Sequence, residues 1–335
     1  MVDFNKLNNY GKTTFIFHYV SILIALIGIW GNLLTFIVFS RKKFQNVSFS
    51  FYMRVKMFAD TIILLNSFKH FWAFIFDVYF VYTADIVCKL SEYVIYVCGT
   101  SSFGILAMIS FDRLITIVYP QKFSFIRKAY FQILALVVIF AINISIYMPM
   151  AIFSELKIAN TTGINNSIEL VKNCIITDLG VAQYLQMAGL IEAIIMLCVI
   201  NNILTIAIIT FIFKSRKKFA SSNLNNNKNN NNNSTAVRDR KFAINSVVLN
   251  LMYFLCKLPL LIILTLSTFN LLKLEQIGML FTIGVAIYTI ENACSFFINI
   301  FVNSLFYEEI AIMFNIRMSN KIGTSSVGST LNTTK

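Results

Sequence analysis

Across 335 residues the chain is 57% hydrophobic and only 13% charged, with 33 phenylalanines. Ordinary soluble domains carry about 25% charged residues, so the composition excludes a soluble globular protein and puts the apolar segments in lipid. The net charge of +13 does not read as a nucleic-acid patch, because its basic residues gather beside apolar segments.

The predicted elements run as follows. A tail over 1–14 precedes a first span at 15–39, too long for a cleavable signal and without a small-residue cleavage site before Arg41-Lys42-Lys43. It reads as a signal anchor with the N-terminus outside. The second span, 49–72, holds Asp60, with Arg54 and Lys56 read as a basic cluster at its inner end. The third, 86–118, opens near Cys88 and closes on Asp112-Arg113-Leu114. Cys88 and Arg113 stand 25 residues apart, about 37 Å of helix, enough to cross a bilayer core of about 30 Å. Lys122 and Arg127-Lys128 lead to the fourth span, 130–153. The next connection carries mixed charge and two glycosylation sequons, at Asn160 and Asn165, which suits an outer surface.

The fifth span, 181–213, ends in Arg216-Lys217-Lys218, and an asparagine-dominated stretch at about 219–237 reads as a disordered cytosolic loop. Arg238 and Arg240-Lys241 introduce the sixth span, 242–267; the seventh is 276–302. Basic clusters therefore fall on alternate connections, which places those connections in the cytosol. Residues 303–315 have the spacing of an amphipathic helix on the membrane, with Glu308-Glu309 on another face. The tail over 316–335 turns to serine and threonine. The expected fold is an all-α bundle of seven transmembrane helices with a short surface helix.

Charge inside such spans is costly and marks function. An arginine at the inner end of a helix pairs with its neighbouring acid, as Arg113 can with Asp112; the bland alternative is a snorkelling side chain that marks the interface. Cys98, Cys198, Cys256 and Cys294 sit within apolar spans and read as small buried hydrophobes. His18 and His70 have no metal-ligand spacing, and no nucleophile motif or phosphate loop occurs, so an enzyme is not expected. Internal repeats with broken half-spans, the mark of a transporter, are absent from the sequence.

Gly31-Asn32, Ala59-Asp60, Cys88, Ser102, Asp112-Arg113-Leu114 with Pro120 beyond, Pro149, Cys174 and Cys256-Lys257-Leu258-Pro259 follow one another at set distances. In that order they resemble the rhodopsin-like (class A) G-protein-coupled receptors. Lys241-Phe242-Ala243, Leu249-Asn250 and Asn303-Ser304-Leu305-Phe306 look most like FMRFamide-type neuropeptide receptors. The chain departs from the family in lacking the common tryptophan and proline of spans four and five. It also lacks Asn-Pro-x-x-Tyr in span seven, where Ser295 to Asn299 stand instead.

The resemblance implies a plasma-membrane receptor for an extracellular ligand that activates a heterotrimeric G protein, with arrestin and receptor kinases as further partners. It implies a Cys88–Cys174 disulfide and a switch at Asp112 and Arg113. It also implies a sodium or polar core at Asn32, Asp60, Ser102 and Ser295, with Asp60 as the metal ligand; a polar network without an ion is the alternative. Glu92 and Glu192 are cavity candidates suited to a basic peptide. Lys257 replaces an aromatic residue near the floor of the cavity and is expected to pair with Glu291, or else to face the ligand. A small-molecule chemosensory ligand remains the other functional reading. A light receptor is not expected, since span seven has no lysine.

Overall fold

In a computed structural model, the described residues are 9–45, 47–76, 84–119, 122–162, 168–222, 230–269 and 274–315. Seven long helices form a bundle: α1 (Asn9–Phe39), α2 (Ser48–Phe76), α3 (Asp85–Val118), α4 (Ala129–Phe153), α5 (Leu179–Ala193, continuing through a π-helical segment Ile194–Ile200 into Asn201–Ser222), α6 (Asn230–Thr268) and α7 (Leu274–Val302). A short α8 (Ser304–Met313) follows. Six of the seven are long and apolar enough to cross a membrane by length and composition. The remaining one, α2, is diluted by Arg54, Lys56 and Asp60, yet it is 29 residues long and packs between α1 and α3.

α3 is the centre of the bundle, touching α2, α4, α5 and α6, while α1 lies against α2 and α7. Large apolar side chains such as Trp30, Leu65 and Phe301 point outward and remain exposed. That is the arrangement expected when lipid, rather than water, covers the outer face. The largest apolar cluster fills the inner half, where Phe39, Phe49, Met53, Ile109, Phe242 and Phe306 meet. Pro259 lies within α6 and cannot donate to the carbonyl of Leu255, so the helix loses one backbone bond there. Pro149 sits in the same way near the end of α4.

Several expectations need correction. α1 begins at Asn9, inside the segment read as a tail, and α2 runs on to Phe76. The connection between α4 and α5 is a β-hairpin, β1 (Ser154–Thr162) paired antiparallel with β2 (Ile168–Ile176), which no periodicity had announced. The asparagine-rich loop is narrower than 219–237: α5 continues to Ser222 and α6 starts at Asn230, leaving 223–229 outside the described residues. Extending an existing helix adds one hydrogen bond per residue ordered and avoids the cost of nucleation, so even asparagine can prolong it. Asn165, Pro120, residues 1–8 and the tail over 316–335 also lie outside the described residues.

α8 docks rather than merely lying alongside. Asn303 caps it, accepting from the backbone N–H groups of Leu305 (3.2 Å) and Phe306 (3.4 Å). Asn315 closes it in the left-handed region at φ 51°, a usual place for asparagine. Phe306 is buried against Phe39, with ring centroids 5.2 Å apart. Glu309 meets Arg41 (3.2 Å) and Lys43 (3.4 Å), and Glu308 meets Lys43 (3.1 Å). The first basic cluster is thus partly neutralised by α8.

Candidate functional site

At the outer end, Cys88 in the first turn of α3 is joined to Cys174 on β2 by a disulfide, with Cα atoms 5.7 Å apart. Asp85 adds a second tie by accepting from the Leu156 N–H at 3.0 Å. The hairpin is therefore fastened to α3 at both of its strands. Glu192 on α5 accepts from the Tyr147 hydroxyl of α4 at 3.0 Å, and Glu92 is half-buried on α3. Asn160 lies on β1.

In the middle of the bundle the structure assembles a charged core different from the expected one. Glu291 on α7 does not pair with Lys257. Its partner is Lys56 of α2, with Nζ to Oε1 at 3.2 Å. The same ammonium meets Asp60 Oδ2 at 2.6 Å. Lys56 is 1% exposed and Asp60 fully buried. Lys56 and Asp60 are four residues apart on one helix, the spacing that stacks two side chains on one face. Lys56 therefore belongs to the interior and not, with Arg54, to a basic cluster at the inner end.

Lys257 enters from α6 and is held by aromatic faces. Its Nζ lies 2.9 Å from the ring centroid of Tyr288, 4.2 Å from that of Phe103 and 5.9 Å from that of Tyr253. A cation over several π faces is stabilised electrostatically even without a carboxylate in contact. Both lysines reach the core because two carboxylates and three aromatic rings share the work of solvating them.

The residues expected to form a sodium pocket are only partly gathered. Ser102 donates to Asp60 Oδ1 at 2.7 Å. Asn32 instead gives its amide to the Asn292 carbonyl at 3.2 Å. Ser295 is buried, and its carbonyl accepts from the Asn299 amide at 2.7 Å. One Asp60 oxygen faces a hydroxyl proton and the other an ammonium. A sodium ion placed on this carboxylate would sit beside Lys56, and two like charges about 4 Å apart repel by about 4 kcal/mol at an effective dielectric near 20. The residues present do not fit a sodium ion.

At the inner end Arg113 and Asp112 are both buried and in contact through the guanidinium, with Nε to Oδ2 at 3.0 Å. Ser48, the first residue of α2, joins both: its hydroxyl donates to Asp112 Oδ2 at 2.7 Å and accepts from Arg113 Nη2 at 2.8 Å. α6 closes over the group. Asp239 lies 4.0 Å from Arg113 Nη1, and the rings of Phe242 and Phe49 flank the guanidinium at 5.7 and 5.8 Å. Ser48 and Asp239 escaped sequence reading. The signal for Asp239 was there, as the lone acid within Arg238 to Lys241.

Above this latch, polar side chains stitch α6 to its neighbours. Ser110 and Ser246 hydroxyls are 3.0 Å apart, and the Asn250 amide donates to Ser110 and Thr205 at 2.8 Å each. Asn245 donates to Asn299 at 2.7 Å. Asn299, standing in the segment that replaces the usual seventh-span motif, thus supplies an α6–α7 bond of its own.

A sequence profile described as 7 transmembrane receptor (rhodopsin family) matches residues 31–296. No curated protein matches the sequence.

Proposed function

The chain belongs to the rhodopsin family of seven-transmembrane receptors, and we propose that its ligand is a neuropeptide of FMRFamide type. Family membership supports a multi-pass plasma-membrane receptor that answers an extracellular ligand through a heterotrimeric G protein. The observation that carries the peptide reading is acidic: Glu92 on α3 and Glu192 on α5 belong to helices that the β-hairpin touches. A peptide ending in arginine and an aromatic amide offers a cation to these carboxylates. Glu192, with one bond to Tyr147, keeps acceptor capacity for it. In this reading the N-terminus is outside and sugars attach at Asn160 and Asn165.

Ligand binding favours an open inner face over the closed one described above, shifting an equilibrium by its differential affinity for the two states. Asp112 and Arg113 form the switch. When α6 leaves, the guanidinium loses Asp239 and Phe242 and meets the incoming G protein. Arrestin and receptor kinases would act afterwards on the serine- and threonine-rich tail.

G-protein activation in cells, screened against amidated peptides, tests the reading. Responses to peptides with a basic residue before an aromatic amide are expected, weakened by Glu92→Gln or Glu192→Gln and abolished by Arg113→Ala. Responses confined to small non-peptide molecules would replace it with the chemosensory alternative.

A further inference from the structure

We propose that the Lys56 ammonium is a tethered, built-in cation that takes the place of a sodium ion in the core of this receptor, making its conformational equilibrium insensitive to sodium. The inference concerns the bundle interior and holds whichever ligand binds outside.

The geometry is that of an occupied cation site. Lys56 Nζ lies 2.6 Å from Asp60 and 3.2 Å from Glu291, and Ser102 supplies a proton to the remaining Asp60 oxygen. The nearest further cation, Lys257, is turned onto the rings of Tyr288, Phe103 and Tyr253. Lys56 thus meets both carboxylates directly while Lys257 touches only rings, so the position a dissolved cation would take beside Asp60 is already filled. A buried carboxylate is far less costly when paired in this way.

Tethering changes the chemistry in two respects. A dissolved ion binds in proportion to its concentration and stabilises whichever state holds it; an ammonium fixed to α2 has no such dependence. Asp60 is on the same helix as Lys56, whereas Glu291 is on α7. Movement of α7 can therefore break one ion pair while the other keeps the ammonium neutralised. A sodium ion would be free to leave when the site opened, and Lys56 is not.

The test is thermal melting of the purified full-length receptor in detergent, in sodium chloride against potassium and choline chloride at equal ionic strength. The wild type is expected to melt at the same temperature in all three. Lys56→Met, which leaves Asp60 and Glu291 without the ammonium, is expected to gain a saturable upward shift of a few degrees in sodium alone. Lys56→Met with Glu291→Gln, which retains one carboxylate beside Ser102 and so is less strained by repulsion, should gain the same dependence. A sodium-specific rise in the wild type would overturn the proposal. So would folded variants that melt alike in the three salts. Should neither variant survive purification, the wild-type comparison alone decides it.

Discussion

Removing one member of the Lys56, Asp60 and Glu291 cluster is not equivalent to removing all of it. Lys56→Met alone strands two buried carboxylates, and breaking a buried pair typically costs about 3–5 kcal/mol. The triple change Lys56→Met, Asp60→Asn, Glu291→Gln removes the stranded charges and should recover most of that loss; melting in sodium-free buffer measures both. Lys257→Met should cost less, about 1–2 kcal/mol, since it removes a cation from aromatic faces and strands no anion. Charge in the core was legible from Asp60 and Glu291, but the choice of partner was not. Counting charges along the chain put Lys56 with Arg54, although four residues to Asp60 is one helical turn and two residues from Arg54 is another face. Which lysine meets Glu291 depends on how α2 and α7 rotate about their axes, and that is set by packing between residues 235 positions apart.

Seven hydrophobic stretches with alternating basic connections were enough to lay out the helices, because in lipid every span must satisfy its own backbone. What joins the helices was harder to see. The hairpin has only two strands and is held by a disulfide and by Asp85, so its stability comes from α3 and not from a strand pattern of its own. α1 and α7 approach so closely at Gly28 that an added Cβ would lie 2.6 Å from the Cβ and 2.8 Å from the Cα of Ala293. Small residues allow this backbone approach in membrane bundles. Gly28→Leu should force the two helices apart and sharply lower surface expression, measured by flow cytometry of a tagged receptor. The α8 dock makes a second prediction at this scale. Arg41→Glu loses the ion pair with Glu309, places like charges together and reduces expression, while Arg41→Glu with Glu309→Arg restores it. An Arg41→Glu receptor expressed like the wild type would mean that Phe306 and its apolar neighbours hold α8 without help from charge.

For the molecule as a whole, the state described is closed at its inner face. Arg113 is buried between Ser48 of α2 and Asp239 and Phe242 of α6, and the Ser110, Ser246 and Asn250 bonds hold α6 against α3. Each bond is modest, roughly 1 kcal/mol or somewhat more where charge is involved. In the proposed switch, they together set how often this end of the bundle opens without ligand. A change of about 1.4 kcal/mol is a tenfold change in that ratio, so loss of one latch contact should be visible as basal signalling. The most direct measurement is nucleotide exchange on purified G protein by purified wild-type, Asp239→Ala and Arg113→Ala receptors without ligand. Asp239→Ala should raise basal exchange several-fold, and Arg113→Ala should fall to the rate of G protein alone. An Arg113→Ala receptor that still folds and drives exchange like the wild type would contradict the account.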